Sequence, residues 1–107
     1  MVKTNEELKK FLSNLSKEEI AFKKHFYDKK EEDRPYLNEE MVINALKDIP
    51  NIENIQNQSN AQGEKYLLRI KLSNSYDLVI ICKTEGKNLY IITSWKTSKK
   101  WQKSIQK

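Results

Sequence analysis

The chain has 107 residues, 37% apolar and 33% charged, with only two glycines and two prolines. That balance excludes a disordered, collagen-like or membrane-spanning chain and leaves room for one domain around one modest core. Acids and bases cancel over residues 1–95, so the whole net charge of +5 comes from Lys96, Lys99, Lys100, Lys103 and Lys107.

Thr4-Asn5-Glu6-Glu7 is a capping box and predicts a first helix over Asn5–Asn14, with Leu8, Phe11, Leu12 and Leu15 on its apolar side. Ser16-Lys17-Glu18-Glu19 repeats the signal and predicts a second helix reaching about Glu32, either one bent element with the first or a separate one joined at Leu15-Ser16. In that helix Ala21, Phe22, His25 and Phe26 share one broad arc. The only histidine of the chain is thus expected at the edge of the apolar stripe, where helix meets sheet. Asp33-Arg34-Pro35 ends the helix, because a residue before proline is pushed out of the helical region. Asn38-Glu39-Glu40 opens a third helix, with Met41, Val42, Ala45 and Leu46 as its apolar face and Pro50 beyond its end.

From Asn51 the pattern turns to alternation. Ile52 and Ile55 mark an edge strand ending near Gln58. Tyr66, Leu68, Ile70 and Leu72 alternate with Leu67, Arg69 and Lys71 in a half-buried strand. Tyr76–Lys83 is the most apolar and central strand; its run Leu78–Cys82 is far too short to cross a bilayer. Asn88–Trp95 is the last strand, in which Leu89, Ile91, Thr93 and Trp95 are expected on one face and Tyr90, Ile92 and Ser94 on the other. The short links require antiparallel neighbours. The expected architecture is α+β: N-terminal helices packed on one face of a three- to four-stranded antiparallel meander, in a single domain over residues 1–95, followed by a basic tail over residues 96–107.

With a single cysteine, Cys82, no internal disulfide can form, and no secretory signal opens the chain, so a cytoplasmic location is expected. No spaced Cys or His ligand set is present, and no metal or other cofactor is expected. The basic tail, with Lys99, Lys100 and Trp101 together, suits a phosphate backbone and an unstacked base; its plainer reading is a solvated, frayed end. Arg69 and Lys71 on an open sheet face suit an RNA platform, or are ordinary solvent-side residues. Which face of the last strand joins them depends on register, since a one-residue slip exchanges the faces.

The order of features resembles a known group. His25 on an early helix is followed by Arg34-Pro35-Tyr36-Leu37 leading into Asn38–Val42, then by Asp48-Ile49-Pro50-Asn51-Ile52, then by a meander ending in Ile91-Ile92-Thr93-Ser94-Trp95. Over residues 20–96 this is similar to the small toxin ribonucleases of the barnase, EndoU, colicin-nuclease and RelE-like superfold. The resemblance implies an endoribonuclease that needs no metal, with His25 matching the helix histidine, Arg69 or Lys71 the basic strand residue, Arg34 a basic residue after the histidine, and Thr93-Ser94-Trp95 the terminal motif. It also implies an acidic antitoxin or immunity protein as partner. One imidazole stands where barnase-like and EndoU-like members pair an acid with a base; RelE-like members manage with lysine, arginine and tyrosine.

The residues suit that chemistry. RNA carries its own nucleophile, the 2′-hydroxyl beside the scissile phosphate. A neutral imidazole at His25 would take its proton, help worth about 10²–10⁴-fold. Arg69 offers a planar fork to the charged phosphoryl oxygens. Thr93 and Ser94 hydroxyls would hold an oxygen, and Trp95 or a tyrosine would stack a base. The product would be a 2′,3′-cyclic phosphate. Two other readings stay open: a non-catalytic nucleic-acid-binding module using the sheet and the tail, and an interaction domain whose tail docks an acidic partner.

Overall fold

Thr4 begins the first helix by reciprocal bonding. Its hydroxyl accepts from the Glu7 amide at 3.1 Å, and the Glu7 carboxylate accepts from the Thr4 amide at 2.9 Å. Helix α1 then runs over Asn5–Asn14, as its sequence predicts. The computed structural model describes residues 3–98, and the following statements concern those residues.

The second capping signal acts differently. Glu19 accepts from the Ser16 amide at 2.9 Å, but only one 3₁₀ turn follows, over Lys17–Glu19. The chain then extends as strand β1, Ile20–Phe22, and α2 begins afresh at Lys24 and ends at Asp33. The expected continuous second helix is therefore corrected to turn, strand and helix. β1 pairs in parallel with Leu89–Ile91, and the backbone bonds of that pairing override a weak local helical preference. Helix α3 spans Glu39–Lys47, with the Asn38 side chain accepting from the Met41 amide at 2.7 Å.

Strands β2 (Ile52–Asn57), β3 (Glu64–Lys71), β4 (Tyr76–Glu85) and β5 (Asn88–Ser98) form the antiparallel meander. With β1 the sheet has five strands in the order β1-β5-β4-β3-β2, so it is mixed rather than wholly antiparallel. β4 and β5 join through Gly86-Lys87, and Gly86 takes the φ of +61° that this tight turn demands. β5 continues through Ser98, so Lys96 belongs to the sheet rather than to a tail.

The helices cover one face. Leu8 and Leu12 of α1, Phe26 of α2 and Val42 and Leu46 of α3 are buried against the inner side chains of β3, β4 and β5. Tyr66, Leu68 and Ile70 point inward as their alternation predicts, whereas Leu72 lies beyond the end of β3 and is exposed. The Lys47 ammonium reaches from α3 to the carbonyls of Leu12 and Leu15, closing the C-terminal end of α1. Among the described residues no helix is long and apolar enough to cross a membrane.

Candidate nucleic-acid interface

The face of the sheet away from the helices carries the candidate residues, and a single inserted residue puts them there. Along β4 and β5, Ile81 pairs with Thr93 but Cys82 pairs with Ile91, leaving Ile92 as the extra residue of a β-bulge. Before it, Leu89 and Ile91 are buried in the core; beyond it the alternation has slipped by one. Thr93 and Trp95 thus lie on the outer face, opposite to Leu89 and Ile91, which corrects the expected sharing of one face by all four. Ser94 turns inward, where it is buried and donates to the Val79 carbonyl at 2.7 Å. Its hydroxyl is committed to the fold and is removed from the set expected to bind RNA.

The outer face is a short lattice of rows. Arg69 pairs with Val79 and Val79 with Trp95, placing the guanidinium and the indole in one row across three strands, each step about 4.8 Å. The row on one side is Leu67, Ile81 and Thr93; on the other it is Lys71, Asp77 and Thr97. Lys65 and Lys83 pair directly at the far end, beside Tyr90. Arg69, Lys71 and Trp95 are half-buried around Val79, which is 2% exposed. Asp77, the carboxylate of this lattice, is buried opposite Lys71.

Arg34 joins the face from the C-cap of α2. Its Nη1 donates to Thr93 Oγ1 at 3.0 Å and to the Ser94 carbonyl at 3.2 Å, and its guanidinium carbon lies 5.7 Å from the centre of the Trp95 ring. On the β1 side, the Lys23 ammonium sits 4.5 Å from the centre of the Tyr90 ring. Arg69 differs from these in one respect. Its Nε is buried and has no hydrogen-bond partner among the described residues. A buried donor left unpaired costs about 1–3 kcal/mol.

His25 stands apart from the core. Because α2 starts at Lys24, His25 is its second residue, Ala21 and Phe22 are not on its arc, and its side chain is exposed rather than lodged at the edge of the apolar stripe. Two residues on, Tyr27 donates its hydroxyl to Glu39 of α3 at 3.0 Å. At about 100° per residue, His25 is turned about 200° from Tyr27 and so away from α3. Among the described residues no hydrogen bond or ion pair holds it.

The structure therefore brings Arg69, Lys71, Thr93, Trp95 and Arg34 together and separates Ser94 from them; among the described residues no hydrogen bond, ion pair or ring contact joins His25 to this group. Lys99, Lys100 and Trp101 lie outside the described residues. Lys65 and Lys83 were not among the expected site residues. Lys65 was legible, since it continues the Arg69, Lys71 alternation backwards; Lys83 needed the register with Lys65. Lys96 is held on the opposite side, its amide donating to the Tyr36 hydroxyl at 3.0 Å and its ammonium between the Tyr36 and Tyr76 rings. A cavity of about 540 Å³ opens beside α1 and the β4–β5 turn, but none of the candidate residues lines it.

No family model, curated protein or solved structure matches the chain.

Proposed function

We propose that this protein is a toxin-type endoribonuclease of the cytoplasm. It cleaves RNA without a metal ion, by attack of the 2′-hydroxyl on the adjacent phosphate, and leaves a 2′,3′-cyclic phosphate. The observation that carries the reading is the partnerless, buried Nε of Arg69 in one row with Trp95, on the same outer face as Thr93 and Arg34.

In this reading Arg69 binds the non-bridging oxygens and stabilises their growing charge. Thr93 is buried and its Oγ1 accepts from Arg34, so in this reading it positions that guanidinium beside the phosphate. Trp95 stacks a neighbouring base, and Lys71, Lys99, Lys100 and Trp101 hold the rest of the strand. His25, exposed at the start of α2, takes the 2′ proton. An acidic antitoxin or immunity protein would silence the enzyme by covering the same cations.

The test is RNA incubated with the protein in EDTA, with the ends analysed chemically. Cyclic-phosphate ends that vanish in Arg69→Ala and fall at least about 100-fold in His25→Ala are expected. Intact RNA at high enzyme would reject cleavage. The exposed, unheld state of His25 favours one second reading, in which the same face grips RNA without cutting it; binding with no cyclic-phosphate product would select that reading.

A further inference from the structure

We propose that the far end of the outer face, around Lys65 and Lys83, is a second phosphate subsite that takes the same RNA strand a short distance from the Arg69 position. The proposal rests on the reading of this face as an RNA surface and deepens it. Lys65 on β3 and Lys83 on β4 are direct cross-strand partners. Like charges placed opposite each other destabilise a sheet. Neither ammonium is in an ion pair among the described residues. The two cations thus have no ion-pair partner in the unbound protein, and an anion between the two side chains would supply one.

The surroundings supply room and further donors. A cavity of about 200 Å³ is lined by Lys65, Lys83, Asn60, Gln62, Gly63 and Ile92. The turn that forms its wall is tied down: Asn60 and Gly63 exchange backbone bonds of 3.1 Å, and Asn60 Oδ1 accepts from the Gln62 amide at 2.8 Å. Gly63, at φ +144°, lets Lys83 lie across the turn; a Cβ there would stand 3.0 Å from Lys83 Cε and 3.6 Å from its Nζ. The Asn60 and Gln62 side-chain amides can donate beside the two ammonium groups. Two cations, neutral amide donors and no carboxylate in the lining suit a phosphodiester.

Position makes it a subsite of the same strand. Lys65 is four residues from Arg69 along β3, or about 13 Å, about the span of two nucleotides of an extended strand. Ile92, whose insertion turns Thr93 and Trp95 onto this face, also lines the cavity. A strand held at both points lies along β3 and β4, so the subsite fixes its direction relative to Arg69.

The experiment uses the full chain and uncleavable 2′-O-methyl RNA. An octanucleotide and a dinucleoside monophosphate, which has one phosphate, are titrated against the wild type and against the Lys65→Gln/Lys83→Gln double variant. Expected is a loss of about tenfold in octanucleotide affinity, with the slope of log K against log salt shallower by about 0.7 for each phosphate no longer neutralised, and no change for the dinucleoside monophosphate. Lys65→Arg/Lys83→Arg, which keeps the charge, should retain wild-type binding and shows that the loss is not misfolding. An unchanged octanucleotide affinity, or an equal loss for both ligands, overturns the subsite. Because the ligands cannot be cut, absence of cleavage in EDTA would reject the nuclease reading while leaving this result intact.

Discussion

Arg34 Nη1 donates to Thr93 Oγ1 across 59 residues of sequence, at 3.0 Å. The bond ties the end of α2 to the outer face of β5, and the same guanidinium reaches the Ser94 carbonyl and the Trp95 ring. It orients a hydroxyl, steadies an indole and adds a cation to the surface that we assign to RNA.

Arg34→Ala should therefore lower stability by about 1.5–3 kcal/mol, the range of a hydrogen bond made by a charged group. Arg34→Lys keeps the charge but loses the planar fork and should recover only part of it. Urea unfolding midpoints measure both, and an Ala variant as stable as the wild type would show that the bond is idle.

Deletion of Ile92 should be far more damaging than its replacement by alanine. Without the extra residue, either Thr93 and Trp95 turn into the core or Leu89 and Ile91 turn out of it, and both outcomes bury the wrong side chains. The expected loss is about 3 kcal/mol or more, against about 1 for Ile92→Ala. Equal unfolding midpoints for the two variants would contradict the bulge.

Stability should decline in mild acid partly through Glu64. Thr84 donates to its Oε2 at 2.5 Å and the Lys3 ammonium lies 3.3 Å from the same oxygen. The Thr84 bond first, then Lys3, holds the carboxyl below its ordinary 4.5 against the opposing effect of burial. A depressed folded value means that the contribution is present above the unfolded value and is lost as pH falls through the folded one. Unfolding midpoints followed from pH 6 downward should fall less steeply for Glu64→Gln below about pH 4.5. Parallel curves would remove Glu64 from the acid response.

Cys82 should be inert while the protein is folded. Its thiol is fully buried on β4 and desolvation pushes it up to about 12. The thiolate that reacts with a disulfide reagent is then scarce as well as shielded. Labelling at pH 8 should run at the rate of unfolding and rise with urea; rapid labelling of the native chain would show that β4 is open to solvent.

Some of this was legible in single segments. The Thr4 capping box closes within four residues, so α1 could be read with its boundaries. The Tyr66, Leu68, Ile70 alternation named the buried side of β3, and hence the outward side of Arg69 and Lys71, before any partner strand was known. The same kind of reading failed at Ile20-Ala21-Phe22. Nothing local distinguishes three residues of a helix from three of a strand when the deciding bonds run to Leu89–Ile91. His25 inherited that error, because its place on an arc depends on where α2 begins.

What the amino-acid order determines by itself is short-range: which side chains cap a turn, and which alternate. Caps and pleats act over two to four residues, and their signals are written there. The side of the sheet on which Thr93 and Trp95 emerge was decided only in three dimensions. An extra residue in a strand is defined by the strand beside it, and the inner hydrophobic face of β4 and β5 selects the one register in which Leu89 and Ile91 are buried.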